Sequence, residues 1–103
     1  MARPLGSVVR DRLVDLLYFL GPKHAYELSK IYSDLFENVS QRLIYYHLNK
    51  GRINGIFESK EIISKEFYSW GNEAKRIVYS LTPNANPKAD LQIFELLKKK
   101  GYI

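Results

Sequence analysis

The chain contains no cysteine. That excludes disulfide staples, thiolate nucleophiles and cysteine-based zinc or redox centres. Histidine is nearly as scarce: His24 and His47 stand far apart, so the clustered imidazoles of a metal sensor are missing, and neither metal nor other cofactor is expected. No apolar run approaches the ~20 residues of a membrane-spanning helix. The N-terminal stretch "SVVRDRLVDLL" is broken by Arg10, Asp11, Arg12 and Asp15 and lacks the apolar core of a signal peptide. There is no GxSxG, no P-loop and no HExxH. The carboxylates are scattered and read as residues of solvent faces. Without a convergent set of acid, base or nucleophile, an enzyme is not expected. Methionine occurs once and cysteine never, while Tyr, Ile and Lys abound, a bias shared with heat-adapted proteins.

One further absence is local. From Asn38 to Phe57 there is no acidic residue, although Arg42, Lys50 and Arg52 fall within the stretch. The whole chain carries 16 Lys and Arg against 11 Asp and Glu, a net charge of +5. The positive charge therefore has a focus in the middle of the sequence, as a polyanion-binding surface requires.

What is present suits one domain over residues 1–103. The length is that of a single unit, and 46% hydrophobic residues can fill one modest core. Over 7–20, Val9, Leu13, Leu16, Leu17 and Leu20 recur at helical spacing, with Ser7 as the expected N-cap and Gly21-Pro22 as the stop. Over 24–36, Ala25, Leu28, Ile31, Tyr32 and Leu35 repeat the pattern. Ser40 is the expected cap of a third helix, about 40–51. After Phe57 the period changes. "IISKEFYSW" and "AKRIVYSLT" are β-branched and aromatic, and "GNEA" between them has turn chemistry. They predict a hairpin within about 58–82, with Ile77, Tyr79 and Leu81 on one face. After "PNANP", residues 88–100 predict a last helix with Leu91, Phe94 and Leu96 or Leu97 inward, and terminal lysines suited to the helix dipole. The fold class is α+β: three helices, a hairpin and a C-terminal helix.

At 100° per residue, Ile44, Leu48 and Gly51 fall within about 60° of one another on the third helix. Arg42, Tyr45, Tyr46 and Asn49 fall on the other side, with Gln41 nearby. A merely solvated helix would favour Lys and Glu there. Arg suits guanine edges or phosphates, Asn and Gln suit adenine, and tyrosine hydroxyls suit phosphates. Two short helices followed by a polar-faced third is the logic of a helix-turn-helix, and a hairpin directly after it makes a wing.

"HAYEL" at 24–28, "LIYYHLNKGRINGIF" at 43–57 and "KRIVYSLT" at 75–82 resemble winged-helix transcriptional regulators of the PadR type. "YYHL" is also similar to the matching part of ArsR-type domains. Gly51 stands where PadR-type proteins usually carry Leu. The resemblance implies that Tyr26 and Leu28 pack the second helix on the third, with Glu27 and Lys30 in solvent. His24 and His47 are expected in capping or packing roles.

The expectation is thus a sequence-specific regulator of double-stranded DNA, cytoplasmic and nucleoid-associated. Its DNA contacts would come from Ser40, Gln41, Arg42, Tyr45, Tyr46, Asn49, Lys50 and Arg52, and from Lys65, Lys75 and Arg76 of the wing, with Trp70 near the wing tip. The alternative is a winged-helix protein-interaction, nucleoid or replication-associated module. Leu91, Ile93, Phe94, Leu96 and Leu97 exceed what one face of a short helix needs, so a homodimer through the last helix is expected.

Overall fold

The computed structural model describes the backbone of residues 5–64 and 74–103, and the side chains within 8–61 and 77–103. The order of elements is α1 (Leu5–Leu20), β1 (Lys23–His24), α2 (Ala25–Leu35), α3 (Gln41–Ile53), β2 (Phe57–Ser64), β3 (Ala74–Leu81) and α4 (Leu91–Lys100). The fold is α+β, with four helices around a three-stranded antiparallel sheet of order β1-β3-β2. Among the described residues, no helix is long and apolar enough to cross a membrane.

The helical periods of the first three helices become one core. Val9, Leu13, Leu16 and Leu17 of α1, Leu28, Ile31, Tyr32 and Leu35 of α2, and Ile44 and Leu48 of α3 are all buried together, with Phe57 of β2 and Ile93 and Leu97 of α4. Tyr32 is wholly buried, and its hydroxyl accepts from Arg12 Nη1 at 3.0 Å. Gly21 ends α1 in the left-handed region, φ 82°, and its N–H donates to the Leu17 carbonyl. α1 starts at Leu5, two residues before the expected cap, so Ser7 lies inside its first turn. Serine costs little there, and cap preference alone does not fix a helix start.

The cap of α3 is the one the sequence predicts, and of the two roles open to His24, capping or packing, it takes the capping one. His24 Nδ1 accepts from the Glu27 N–H at 3.3 Å, and Ser40 Oγ accepts from the Leu43 N–H at 3.1 Å. His24 has a second role that was not legible. With Lys23 it forms a two-residue strand paired to Val78 and Tyr79 of β3. Two residues carry no alternation for a sequence pattern to reveal.

The hairpin is present, but its first strand starts earlier than "IISKEFYSW" predicts. β2 begins at Phe57, and the register runs from Phe57↔Leu81 to Ser64↔Ala74. The expected turn "GNEA", Lys65 and Trp70 lie outside the described residues. Gly55, φ 79°, releases the chain directly after α3, and Phe57 drops into the core against Gly51. Glu58 and Lys60 then point to solvent, which an edge strand tolerates. Thr82 secures the return: its Oγ1 donates to the Gly55 carbonyl and its N–H to the Ile56 carbonyl.

α4 begins at Leu91, three residues after the expected start, because Asp90 caps it through the Gln92 N–H at 2.9 Å. The inward line also differs. Ile93 and Leu97 are buried, whereas Leu91 is 73% exposed and Phe94 is at the surface. The cause lies in α1. Asp15, expected on a solvent face, is 2% exposed. Its Oδ1 accepts from the N–H groups of Lys88 and Ala89 and its Oδ2 from that of Asp90, at 3.0–3.2 Å. This clamp bends the chain through a left-handed Ala89, φ 52°, and sets the rotation of α4. At the other end, the Tyr102 hydroxyl donates to Asp34 Oδ2 at 2.8 Å and Lys100 approaches Oδ1 at 3.4 Å, tying the segment after α4 to α2.

Candidate nucleic-acid interface

α3 has two distinct sides. Ile44, His47, Leu48 and Gly51 are buried. Ser40, Gln41, Arg42, Tyr45, Tyr46, Asn49, Lys50 and Arg52 are all exposed. The sequence wheel is therefore correct for this helix, and these residues lie together on one solvent-facing surface. The helix runs through Gly51 without a break, and Ile53 points outward. Glycine is required at 51 because a Cβ there would land among the ring carbons of Phe57.

The electrostatics of this surface are one-sided. Among the described residues, no carboxylate forms an ion pair with Arg42, Lys50 or Arg52. Arg52 Nη2 donates to Asn49 Oδ1 at 2.9 Å. That bond fixes which way the amide points and leaves its NH2 as the outward donor. Tyr46 stands edge-on to His47, ring centres 5.1 Å apart. His47 itself is 2% exposed, in the packing role expected of it. Arg10 Nη2 lies 3.4 Å from its Nδ1. A guanidinium only donates, so Nδ1 accepts and the imidazole is favoured neutral. Burial, and then the Arg10 charge, pull the His47 pKa below its usual value.

Tyr45 and Asn49 also form one wall of an open groove of about 810 Å³ beside α3. Its other lining residues are His24, Ala25 and Tyr26 at the start of α2, and Ile77 and Tyr79 of β3. Tyr26 is 48% exposed rather than packed between α2 and α3, and Lys30 Nζ sits 5.2 Å from its ring centre. The groove was not foreseen. Its one sequence signal was the tyrosine within "HAYEL", and the resemblance assigned that residue to packing.

Of the expected wing cations, Lys75 and Arg76 occupy consecutive positions on β3, opposite Ile63 and Ile62. Lys65 lies outside the described residues. Of the expected dimer residues, Ile93 and Leu97 are taken up by the chain's own core and Leu96 is half-buried. Leu91 and Phe94 remain outside; the Phe94 ring centre is 5.4 Å from that of Phe19, which is 5.2 Å from that of exposed Tyr18.

No protein-family model matches the chain, and no curated protein is significantly similar to it.

Proposed function

We propose that the chain is a winged helix-turn-helix regulator of double-stranded DNA, with α3 as the recognition helix and the β2–β3 hairpin as the wing. The observation that carries the reading is the outer face of α3. It holds Arg42, Lys50 and Arg52, two tyrosines, Asn49 and Gln41, with no acid, on a helix whose other face is locked into the core. A helix fixed in this way can be pressed into the major groove without losing its shape. Arg42 then reaches guanine O6 and N7, and Gln41 and Asn49 reach adenine edges. Lys50, Arg52 and the tyrosine hydroxyls neutralise or bond phosphates, and the wing meets backbone or minor groove. No side chain in this scheme needs a cofactor or carries out catalysis.

A second copy completes the reading. Leu91, Phe94 and Tyr18 form an exposed apolar strip on the α1–α4 side, and a homodimer through it would present two recognition helices to a pseudo-palindromic site. Light scattering at micromolar concentration tests this, with a full-length monomer as the refuting result.

The function is tested by titrating salt against duplex binding, alongside selection from random duplexes. A regulator shows a steep fall of affinity with salt and a preferred sequence. A nucleoid-type protein keeps the slope and loses the preference. A protein-interaction module shows neither, and that result would overturn the proposal.

A further inference from the structure

The groove beside α3 has a composition that a duplex-reading surface does not require. α2 contributes Tyr26, α3 contributes Tyr45, and β3 contributes Tyr79 and Ile77. Tyr26, Tyr45 and Ile77 are each at least 42% exposed, so flat apolar surface is held open to solvent on three elements. None of the lining residues is acidic. Asn49 turns a free NH2 outward, since its oxygen is held by Arg52. Two cations are attached to the lining residues: Lys30 over the Tyr26 ring, and Arg52 bonded to Asn49. Neither forms an ion pair with a carboxylate among the described residues.

Rings that accept stacking, an amide that donates to a ring carbonyl, and cations on two separate elements together match one nucleotide: a base and the phosphates on either side of it. We propose that this groove seats a single nucleobase swung out of the helical stack, with its flanking phosphates held by Lys30 and Arg52. The inference rests on the assignment of α3 as the DNA-facing helix, because Tyr45 and Asn49 belong to both surfaces and make them continuous. A strand lying on α3 needs to release only one base to fill the groove. Stacking on tyrosine is tolerant of sequence, so the preference is for an unpaired base rather than for a particular one. An unpaired or mismatched base is favoured because it has already lost its pairing.

The test compares three fluorescent hairpin duplexes of one sequence: fully paired, carrying a one-nucleotide bulge, and carrying an abasic bulge. The abasic form has the same backbone flexibility without the base. The bulged duplex is expected to bind about tenfold tighter than either of the others, the worth of one aromatic stack. Tyr26→Ala and, separately, Ile77→Ala should abolish that preference and leave affinity for the paired duplex unchanged. Both residues are about half exposed, and a melting curve for each variant establishes that it is folded. Equal affinity for bulged and abasic duplexes overturns the proposal, as does a Tyr26→Ala loss spread equally over all three. If paired duplex binds with a steep salt dependence and no bulge preference, only the groove assignment falls. If no duplex binds at low salt, the assignment of α3 falls with it.

Discussion

Where α1 meets the start of α4, the charged residues are consumed by the architecture. Asp15 is buried under three backbone N–H groups, and Lys88 reaches Asp11 at 3.0 Å. Arg12 bonds Tyr32, lies 3.7 Å from Glu37 and stacks 4.6 Å over Phe36. On the outer face of α3, by contrast, Arg42, Lys50 and Arg52 meet no carboxylate among the described residues. Both regions are rich in charge, so counting charges would not separate them. Partnership separates them. In the first, ionic groups replace water for backbone that would otherwise be unsatisfied; in the second they are left for something outside the chain.

The sharpest way to break this comparison is to reverse the two sides of α3. Ile44→Ala and Leu48→Ala should each cost about 2–5 kcal/mol of stability, as fully buried large-to-small changes do. Gly51→Ala should cost about 1–3 kcal/mol by overpacking against Phe57, which is 1% exposed and cannot step aside. Tyr46→Ala, on the exposed side, should stay within about 0.5 kcal/mol. Denaturant melts that ranked Tyr46 above Leu48 would mean the helix is rotated.

Next in size is the clamp. Asp15→Ala strands three N–H donors and should cost about 2–3 kcal/mol, with hydrogen-exchange protection lost first over residues 88–93. Asp15→Asn keeps one acceptor oxygen and should cost less. If Asp15→Ala were neutral, the charged groups of this region would be as dispensable to the fold as those of α3, and the contrast would vanish.

On the other side of the comparison the expected losses are in binding alone. Arg42→Ala should weaken a preferred duplex by about 1–3 kcal/mol while the melting temperature holds. Lys50→Ala should weaken all duplexes alike and reduce the salt slope by about one unit. Unchanged affinity and preference in Arg42→Ala would place the interface elsewhere.

The smallest effect is a pH dependence on the inner side of α3. The His47 pKa is lowered by burial and by Arg10 from an ordinary 6.5. Between that folded value and 6.5 the unfolded chain binds more protons, so stability falls as pH drops below about 6.5 and is fully present above it. Denaturant midpoints at about pH 7.5 and about pH 5.5 should differ more for the native chain than for His47→Gln. A native chain with the same pH response as the variant would show that His47 titrates as it does in water.

The difference between the two regions also tracks what the sequence could show. The outer face of α3 was legible because everything that defines it is local. A helical period, the Ser40 cap and an acid-free window from Asn38 to Phe57 lie within 20 consecutive residues, and 3.6 residues per turn sorts them into two sides without reference to anything else. The same arithmetic failed on α4. Leu91/Phe94/Leu97 and Ile93/Leu97 are both helical stripes of "LQIFELLKKK", and no property of those ten residues chooses between them.

The sequence by itself determined the elements: four helices and a hairpin, the Ser40 cap, and a cationic aromatic face on the third helix. Only the tertiary structure decided which stripe of α4 is buried, that Asp15 is a core residue, that Lys23–His24 is a strand, and that Tyr26, Tyr45 and Tyr79 share a groove. The physical reason is range. Periodicity and capping are satisfied within a few residues of the chain. The Asp15 clamp joins groups 73–75 residues apart, and the β1–β3 pairing, Lys23 with Tyr79 and His24 with Val78, reaches across all of α2, α3 and β2. Such partners exist for one another only once the chain has folded back and taken water away from them.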